Sequence, residues 1–174
     1  MTEYFPGAGW NQAQARALPS GPVHPNIRVA TIRTLNPATA KSIILVDDEK
    51  SYTDLMSQLL ADNLACPVHA FTRPLEALKA LPTLDPGVIV TDYFMPQLNG
   101  IEFIRQATTV ASGASFVMIS GHNLSAEENE LAKLGALKGF LAKQFGWRKL
   151  ADEILRVWPA GSTAPTHRAD EPSR

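Results

Sequence analysis

The chain has 174 residues, of which 45% are hydrophobic, so it is long enough for one packed domain with extensions at its ends. Its formal net charge of -1 gives no overall attraction to nucleic acid or to an anionic membrane. A single cysteine excludes an internal disulfide framework, and the chain shows neither a secretion signal nor an apolar run that would span a bilayer. We therefore expect a cytoplasmic protein that does not insert into a membrane.

Both ends of the chain differ in composition from its middle. Residues 1–40 are punctuated by proline and glycine, which predicts a flexible N-terminal extension. Within it, residues 27–33 alternate weakly and fit either a short strand or a partner-binding segment; the extension could equally come from an overextended start site. Residues 160–174 are small and polar, which predicts a disordered C-terminal tail.

The segment between them, residues 41–159, alternates between strand and helix patterns. Five strands are predicted, at residues 43–46, 68–71, 88–92, 116–120 and 139–142. The first, third and fourth are almost wholly apolar, as strands buried on both faces should be. Five strand–helix units of this length predict an α/β fold, a doubly wound parallel sheet with helices on both faces.

Each predicted helix has its own sequence signal. The first is indicated by an apolar stripe at three- and four-residue steps, formed by Tyr52, Leu55, Met56, Leu59 and Leu60. Thr72 is predicted to cap a helix over residues 73–81, and a third helix is expected at about residues 100–109. A capping box at residues 125–128 opens the fourth helix, and an apolar stripe over residues 147–158 indicates the last.

Acidic side chains stand where two of the apolar strands end. Asp47 and Asp48 follow the first strand directly, and Asp92 ends the third. Because parallel strands present their carboxyl ends at one edge of a sheet, we expect these three side chains to lie together. Three carboxylates repel one another unless a cation or a proton intervenes. The simplest partner is a hard divalent metal, and Mg²⁺ is the usual one beside a phosphate.

Residues 42–158, about two thirds of the chain, resemble a response-regulator receiver domain, the phosphoacceptor half of two-component signalling. The resemblance rests on features that occur in a fixed order: the acidic pair Asp47-Asp48, the acceptor Asp92, the turn Met95-Pro96-Gln97-Leu98-Asn99-Gly100, the hydroxyl of Ser120 and the amine of Lys143. It implies a flavodoxin-like sheet, of the CheY type, with strand order 2-1-3-4-5.

The resemblance also implies the chemistry of the acidic cluster. Asp92 would accept a phosphoryl group from a histidine on a sensor histidine kinase or a histidine phosphotransfer protein. Phosphoryl transfer asks the protein mainly for positioning and charge neutralisation. Asp48 and Asp92 would hold Mg²⁺ directly, Asp47 would do so through water, and the backbone carbonyl of Phe94 would supply a further oxygen.

Three more residues receive roles from the same resemblance. Ser120 would hydrogen-bond the phosphoryl oxygens, and Lys143 would pair first with the acceptor carboxylate and then with the phosphoryl group. Phe140, three residues before Lys143, would be the aromatic ring that turns when Asp92 is phosphorylated. Read without the resemblance, Phe140 is most simply a core residue.

The chain departs from the family pattern after its lysine. Gln144 follows Lys143 where the family usually has a proline in a cis peptide, and we expect a trans bond here because a non-proline cis bond costs about 2.5–4 kcal/mol. Phe94 and His122, each two residues beyond a site residue, are bulky. We hypothesise that they hinder the water that hydrolyses the phosphate, so that the phosphorylated form is long-lived.

We expect a stand-alone phosphoacceptor rather than a turnover enzyme, because only a short polar tail follows the predicted domain. The signal would then leave through a downstream protein target, through a phosphorelay, or through a phosphorylation-dependent homodimer, with no direct contact to nucleic acid.

Two alternative functions stay open. A Mg²⁺-dependent phosphohydrolase would usually have a second acid where Phe94 stands, and a receiver-like adaptor module would bind partners without phosphorylation.

Overall fold

The computed structural model describes residues 41–168, so the predicted extension over residues 1–40 lies outside it. Strands and helices alternate along the chain as β1 (Ser42–Val46), α1 (Lys50–Asn63), β2 (Val68–Phe71), α2 (Pro74–Ala80), β3 (Pro86–Asp92), α3 (Gly100–Val110), β4 (Ser115–Ser120), α4 (Glu128–Ala132), β5 (Leu137–Ala142) and α5 (Trp147–Arg156). All neighbouring strands pair in parallel, in the order β2-β1-β3-β4-β5, which confirms the predicted fold class and strand order. Within the described range, no helix is long and apolar enough to cross a membrane.

The sheet separates two apolar layers because successive side chains of a strand point to opposite faces. In β1, Ile44 and Val46 join the layer that includes residues of α2 and α3. Ile43 and Leu45 join the opposite layer, with residues of α1 and α5. The strands that carry the site are thereby covered by apolar side chains on both faces.

The apolar stripe predicted for α1 is rotated in the structure. Thr53, Met56 and Leu60 form its buried face, whereas the side chain of Leu55 is 55% exposed. Thr53 is polar but satisfies its hydroxyl locally, because its Oγ1 donates to the backbone oxygen of Asp47 at 2.8 Å. Because threonine is polar, a search for apolar periodicity does not place Thr53 on the buried face.

The helix caps differ from the predicted ones at two places. Arg73 rather than Thr72 precedes α2, and it makes no side-chain capping bond. The capping box expected at residues 125–128 is not formed; a 3-10 turn over Ser125–Glu127 leads into a short α4, and Asn123 Oδ1 accepts the Ser125 backbone N–H at 2.9 Å. A reciprocal capping box instead opens α3, between Asn99 and Glu102.

Part of the chain after α5 contacts the residues that follow α1, within the segment for which the sequence predicts a disordered tail. The Ala65 backbone N–H donates to the Thr166 oxygen at 3.0 Å, and Leu64 forms an antiparallel bridge with His167. Pro165 is buried. Composition does not reveal this packing, because the segment is held by backbone groups just beyond α1 that need partners. Residues 169–174 lie outside the described range.

Candidate functional site

The carboxyl ends of β1 and β3 bring together the three predicted acids. Asp47 follows β1 and is fully buried, Asp92 ends β3 and is buried, and Asp48 is exposed. One carboxylate oxygen from each of the three lies within 4.8 Å of the others. The strands are direct neighbours in the sheet, so their ends meet at one point of the edge.

Lys143 is the basic group that joins the cluster. Its Nζ lies 2.8 Å from Asp47 Oδ2 and 3.1 Å from Asp92 Oδ2. The lysine follows β5, and its backbone N–H donates to the Ser120 oxygen at 2.6 Å, which ties the end of β5 to the end of β4. The prediction that Asp47, Asp48, Asp92 and Lys143 share one site is therefore consistent with the geometry.

The charges at this edge do not balance. Burial raises the pKa of the Asp92 carboxyl, and the nearby Asp47 raises it further, while the hydrogen bond from Lys143 works in the opposite direction. Burial alone would lower the pKa of Lys143, but its bonds to the two carboxylates outweigh burial and raise it. Among the described residues, the single Lys143 ammonium therefore compensates the two buried carboxylates, and the exposed carboxylate of Asp48 lies beside them. A set of oxygen ligands with excess negative charge suits a hard divalent cation.

Ser120 ends β4 beside the acids, but its hydroxyl faces its own loop. Its Oγ accepts the His122 backbone N–H at 3.1 Å and donates to the His122 oxygen at 3.2 Å. The strand register pairs Asp92 with Ile119, which places Ser120 one residue further along the same edge. The Ser120 hydroxyl thus lies next to the acidic cluster, and both of its hydrogen bonds are made with the backbone of His122.

Comparison with known proteins identifies the family. The sequence model of the response regulator receiver domain matches residues 43–155. This chain belongs to that family. Its acidic pocket is of the kind at which receiver domains generally bind Mg²⁺, and Asp47, Asp48 and Asp92 can hold such an ion.

Its relatives include both short and long response regulators. The chain is 34% identical over 107 residues to the transcriptional regulatory protein FixJ of Bradyrhizobium diazoefficiens, covering 62% of this chain and 51% of that one. It is 26% identical over 121 residues to the chemotaxis protein CheY of Halobacterium salinarum, covering 70% of this chain and 99% of that one. The crystal structure of Vibrio cholerae CheY4 has a TM-score of 0.62 at 24% identity and covers 68% and 98% of the two chains. The chain thus spans about half the length of FixJ and nearly all of CheY.

Aromatic rings line the loops beside the Asp92 carboxylate of this receiver domain. The Phe94 side chain is 52% exposed, and its ring makes edge contacts with Tyr93 at 4.6 Å and His122 at 4.8 Å between centroids. The Tyr93 hydroxyl in turn donates to Glu127 Oε1 at 3.3 Å. Two rings at the predicted positions therefore link the loop after β3 to the loop after β4.

Phe140 lies on β5 with its side chain 43% exposed, so it is not the core residue that its type alone suggests. The inward positions of β5 are taken by Gly139 and Leu141. Phe140 borders a surface cavity of about 370 Å³ that is also lined by Leu124 and His122. The ring therefore stands beside open space next to the loop that follows β4.

The peptide bond after Lys143 is trans, as the sequence predicts. No peptide bond within residues 41–168 is cis, so Lys143 and Gln144 are joined in trans. Gln144 has a φ of 120°, a backbone conformation that side-chain-bearing residues rarely adopt. The Lys143 ammonium reaches both carboxylates without a following proline, and a strained residue stands directly after the lysine.

Tyr52 is a site residue that the sequence reasoning missed. Its ring lies under the Lys143 ammonium, 5.2 Å from Nζ to the ring centroid. Burial, and then the charge of Asp47, raise the pKa of its hydroxyl to about 12. The sequence shows Tyr52 only as one member of an apolar stripe, and no signal marks the contact with a lysine far along the chain.

Proposed function

We propose that this receiver accepts a phosphoryl group on Asp92, from a histidine of a sensor histidine kinase or of a histidine phosphotransfer protein. The observation that carries the proposal is the buried Asp92 carboxylate, paired with Lys143 and placed beside two further acids. A carboxylate oxygen of Asp92 attacks phosphorus, the phosphorus–nitrogen bond to the donor histidine breaks, and the released imidazole keeps the electron pair and takes up a proton. The Tyr93 backbone N–H, 2.8 Å from Asp92 Oδ1, holds the carboxylate in place.

Asp47, Asp48 and Asp92, with the backbone carbonyl of Phe94, would hold Mg²⁺ at this edge. The ion would neutralise charge on the phosphoryl oxygens while they are transferred. Asp47 is fixed for this task because its Oδ1 accepts the Glu49 backbone N–H at 2.9 Å. The fit rests on the excess of carboxylates over ammonium groups in the pocket.

After transfer, Lys143 and Ser120 would hold the phosphoryl oxygens. Lys143 already touches the acceptor oxygen, so it needs a small movement. Ser120 must exchange its two bonds with the His122 backbone for a bond to the new group. We propose that this exchange shifts the loop after β4, and that the Phe140 ring turns from its exposed position toward the space beside that loop.

We propose that the signal leaves by a protein–protein contact in the cytoplasm, with a downstream target, a relay partner or a second phosphorylated copy. Neither a nucleic-acid contact nor catalytic turnover is part of this proposal. An adaptor module that is never phosphorylated is the alternative. We favour phosphorylation because all the acids and the lysine of the family pattern are retained and lie together.

The test is the intact mass of the protein after incubation with acetyl phosphate. We expect the gain of one phosphoryl group with Mg²⁺ and no gain when EDTA removes the metal. Asp48→Asn, which keeps the side-chain volume but removes a metal-binding charge, should slow the gain strongly. A folded native chain that gains no mass under any of these conditions supports the adaptor alternative.

We predict that the aspartyl phosphate of the native chain is long-lived because Phe94 and His122 shield it from water. Replacing both by serine should speed dephosphorylation about threefold or more, which corresponds to a barrier lower by at least roughly 0.6 kcal/mol. The decay is timed by intact mass after the phosphodonor is removed. Leu75→Ser, an exposed apolar residue on α2, serves as the control. Equal decay rates for the native chain and the double variant would contradict the shielding.

A further inference from the structure

Tyr52 contacts the acidic site although it is neither an acid nor a candidate phosphate ligand. It lies in the first turn of α1, and its ring faces the Lys143 ammonium at 5.2 Å. The ring also packs against the apolar layer between the sheet and helices α1 and α5. Its hydroxyl is buried and has no hydrogen-bond partner within residues 41–168, so the ring rather than the hydroxyl is the group that meets the lysine.

The Tyr52 ring gives the Lys143 ammonium a contact that a bound cation does not displace. Asp47 and Asp92, which hold Lys143, are also candidate cation ligands, so a bound cation competes with the ammonium for both. A hard divalent cation takes oxygen ligands and does not compete for an aromatic face. An ammonium within about 6 Å of a ring centroid is attracted by the ring, and more strongly when it is partly removed from water.

The lysine needs such support for two reasons. Its four-carbon stem is flexible, so the ammonium can occupy many positions. The next residue is Gln144 at a φ of 120°, and its backbone is not fixed by a proline ring.

We propose that Tyr52 is a positioning residue for phosphoryl acceptance, and that its ring holds the Lys143 ammonium beside the acceptor carboxylate. This role rests on the proposed function of Asp92. It assigns to α1 a part in the chemistry beyond packing, and it requires the ring but not the hydroxyl.

Two variants separate the ring from the hydroxyl. Tyr52→Phe keeps the ring, and Tyr52→Leu keeps an apolar side chain without a ring. Met56→Leu, in the same helix and the same apolar layer, is the packing control. The first readout is the proton NMR shift of the Lys143 methylene next to the ammonium, measured without metal or phosphodonor. We expect an upfield ring-current shift in the native chain, Tyr52→Phe and Met56→Leu, and its loss in Tyr52→Leu.

The second readout is the rate of phosphorylation by acetyl phosphate with Mg²⁺. Tyr52→Leu should be slower by about three- to tenfold, whereas Tyr52→Phe and Met56→Leu should match the native rate. An unchanged methylene shift and rate in Tyr52→Leu would overturn the role of the ring, and so would an equal loss in Tyr52→Phe. If the native chain takes no phosphoryl group, the proposed function fails, and the NMR shift still decides whether the ring holds the ammonium.

Discussion

Replacing Lys143 by methionine will lower the free energy of unfolding by about 2–4 kcal/mol when no divalent cation is present. The variant leaves the carboxylates of Asp47 and Asp92 buried without their cation. The Lys143 side chain is 24% exposed, so the loss should lie toward the lower end of what breaking a fully buried pair costs. Urea unfolding in the presence of EDTA measures the effect.

Mg²⁺ should return most of that stability. A cation that binds the folded chain and not the unfolded one stabilises by mass action, and in Lys143→Met the ammonium no longer competes with it for the carboxylates. Lys133→Met is the matched control, because the Lys133 ammonium pairs with Glu130 on the solvated surface. Equal losses for the two variants, or a Lys143→Met protein as stable as the native chain, would contradict this account of the pocket.

Replacing Gly100 by alanine will destabilise the fold by about 3 kcal/mol, the upper end of the usual cost of overpacking. A Cβ at this position would lie 2.6 Å from the Asp92 carbonyl oxygen and 3.0 Å from Tyr93 Cα. Both are backbone atoms that no side-chain rotation can move away. The Gly100 backbone N–H also donates to the Tyr93 oxygen at 2.8 Å, so the start of α3 is held directly against the residues at the end of β3.

The same substitution should slow phosphorylation, because the added methyl group pushes on Asp92, the residue that we propose as the acceptor. Gly113→Ala is the control, since a Cβ there would have no neighbour within 4 Å. Chemical unfolding and acetyl phosphate labelling of the two variants make the comparison. If Gly100→Ala were as stable and as reactive as Gly113→Ala, the close contact would have no consequence.

The sheet could be predicted because burial leaves a signature in composition. Strands β1, β3 and β4 are covered on both faces and read as unbroken apolar runs, so their bounds were predicted to within two residues. The acids could be predicted with them, because the end of a parallel strand fixes which edge a side chain reaches. The proximity of Asp47 and Asp92 follows from the positions of these two strand ends.

Features that depend on how elements rotate or pack could not be predicted. The pattern of a polar residue followed three positions later by glutamate occurs at both Asn99 and Ser125, and only Asn99 forms the box. The contact of Tyr52 with Lys143 depends on the rotation of α1, which a buried threonine shifts away from the apolar stripe. The contact of the tail with the residues after α1 is made by backbone groups of Thr166 and His167, which composition does not encode.

The most direct test of the account is to locate the phosphoryl group after labelling with acetyl phosphate and Mg²⁺. Borohydride reduces an aspartyl phosphate to homoserine, and peptide mass spectrometry then identifies the position. We predict homoserine at position 92 in the native chain and none at any position in Asp92→Asn. Homoserine at Asp47 or Asp48, or labelling of Asp92→Asn at the native rate, would contradict the assignment of Asp92 as the acceptor.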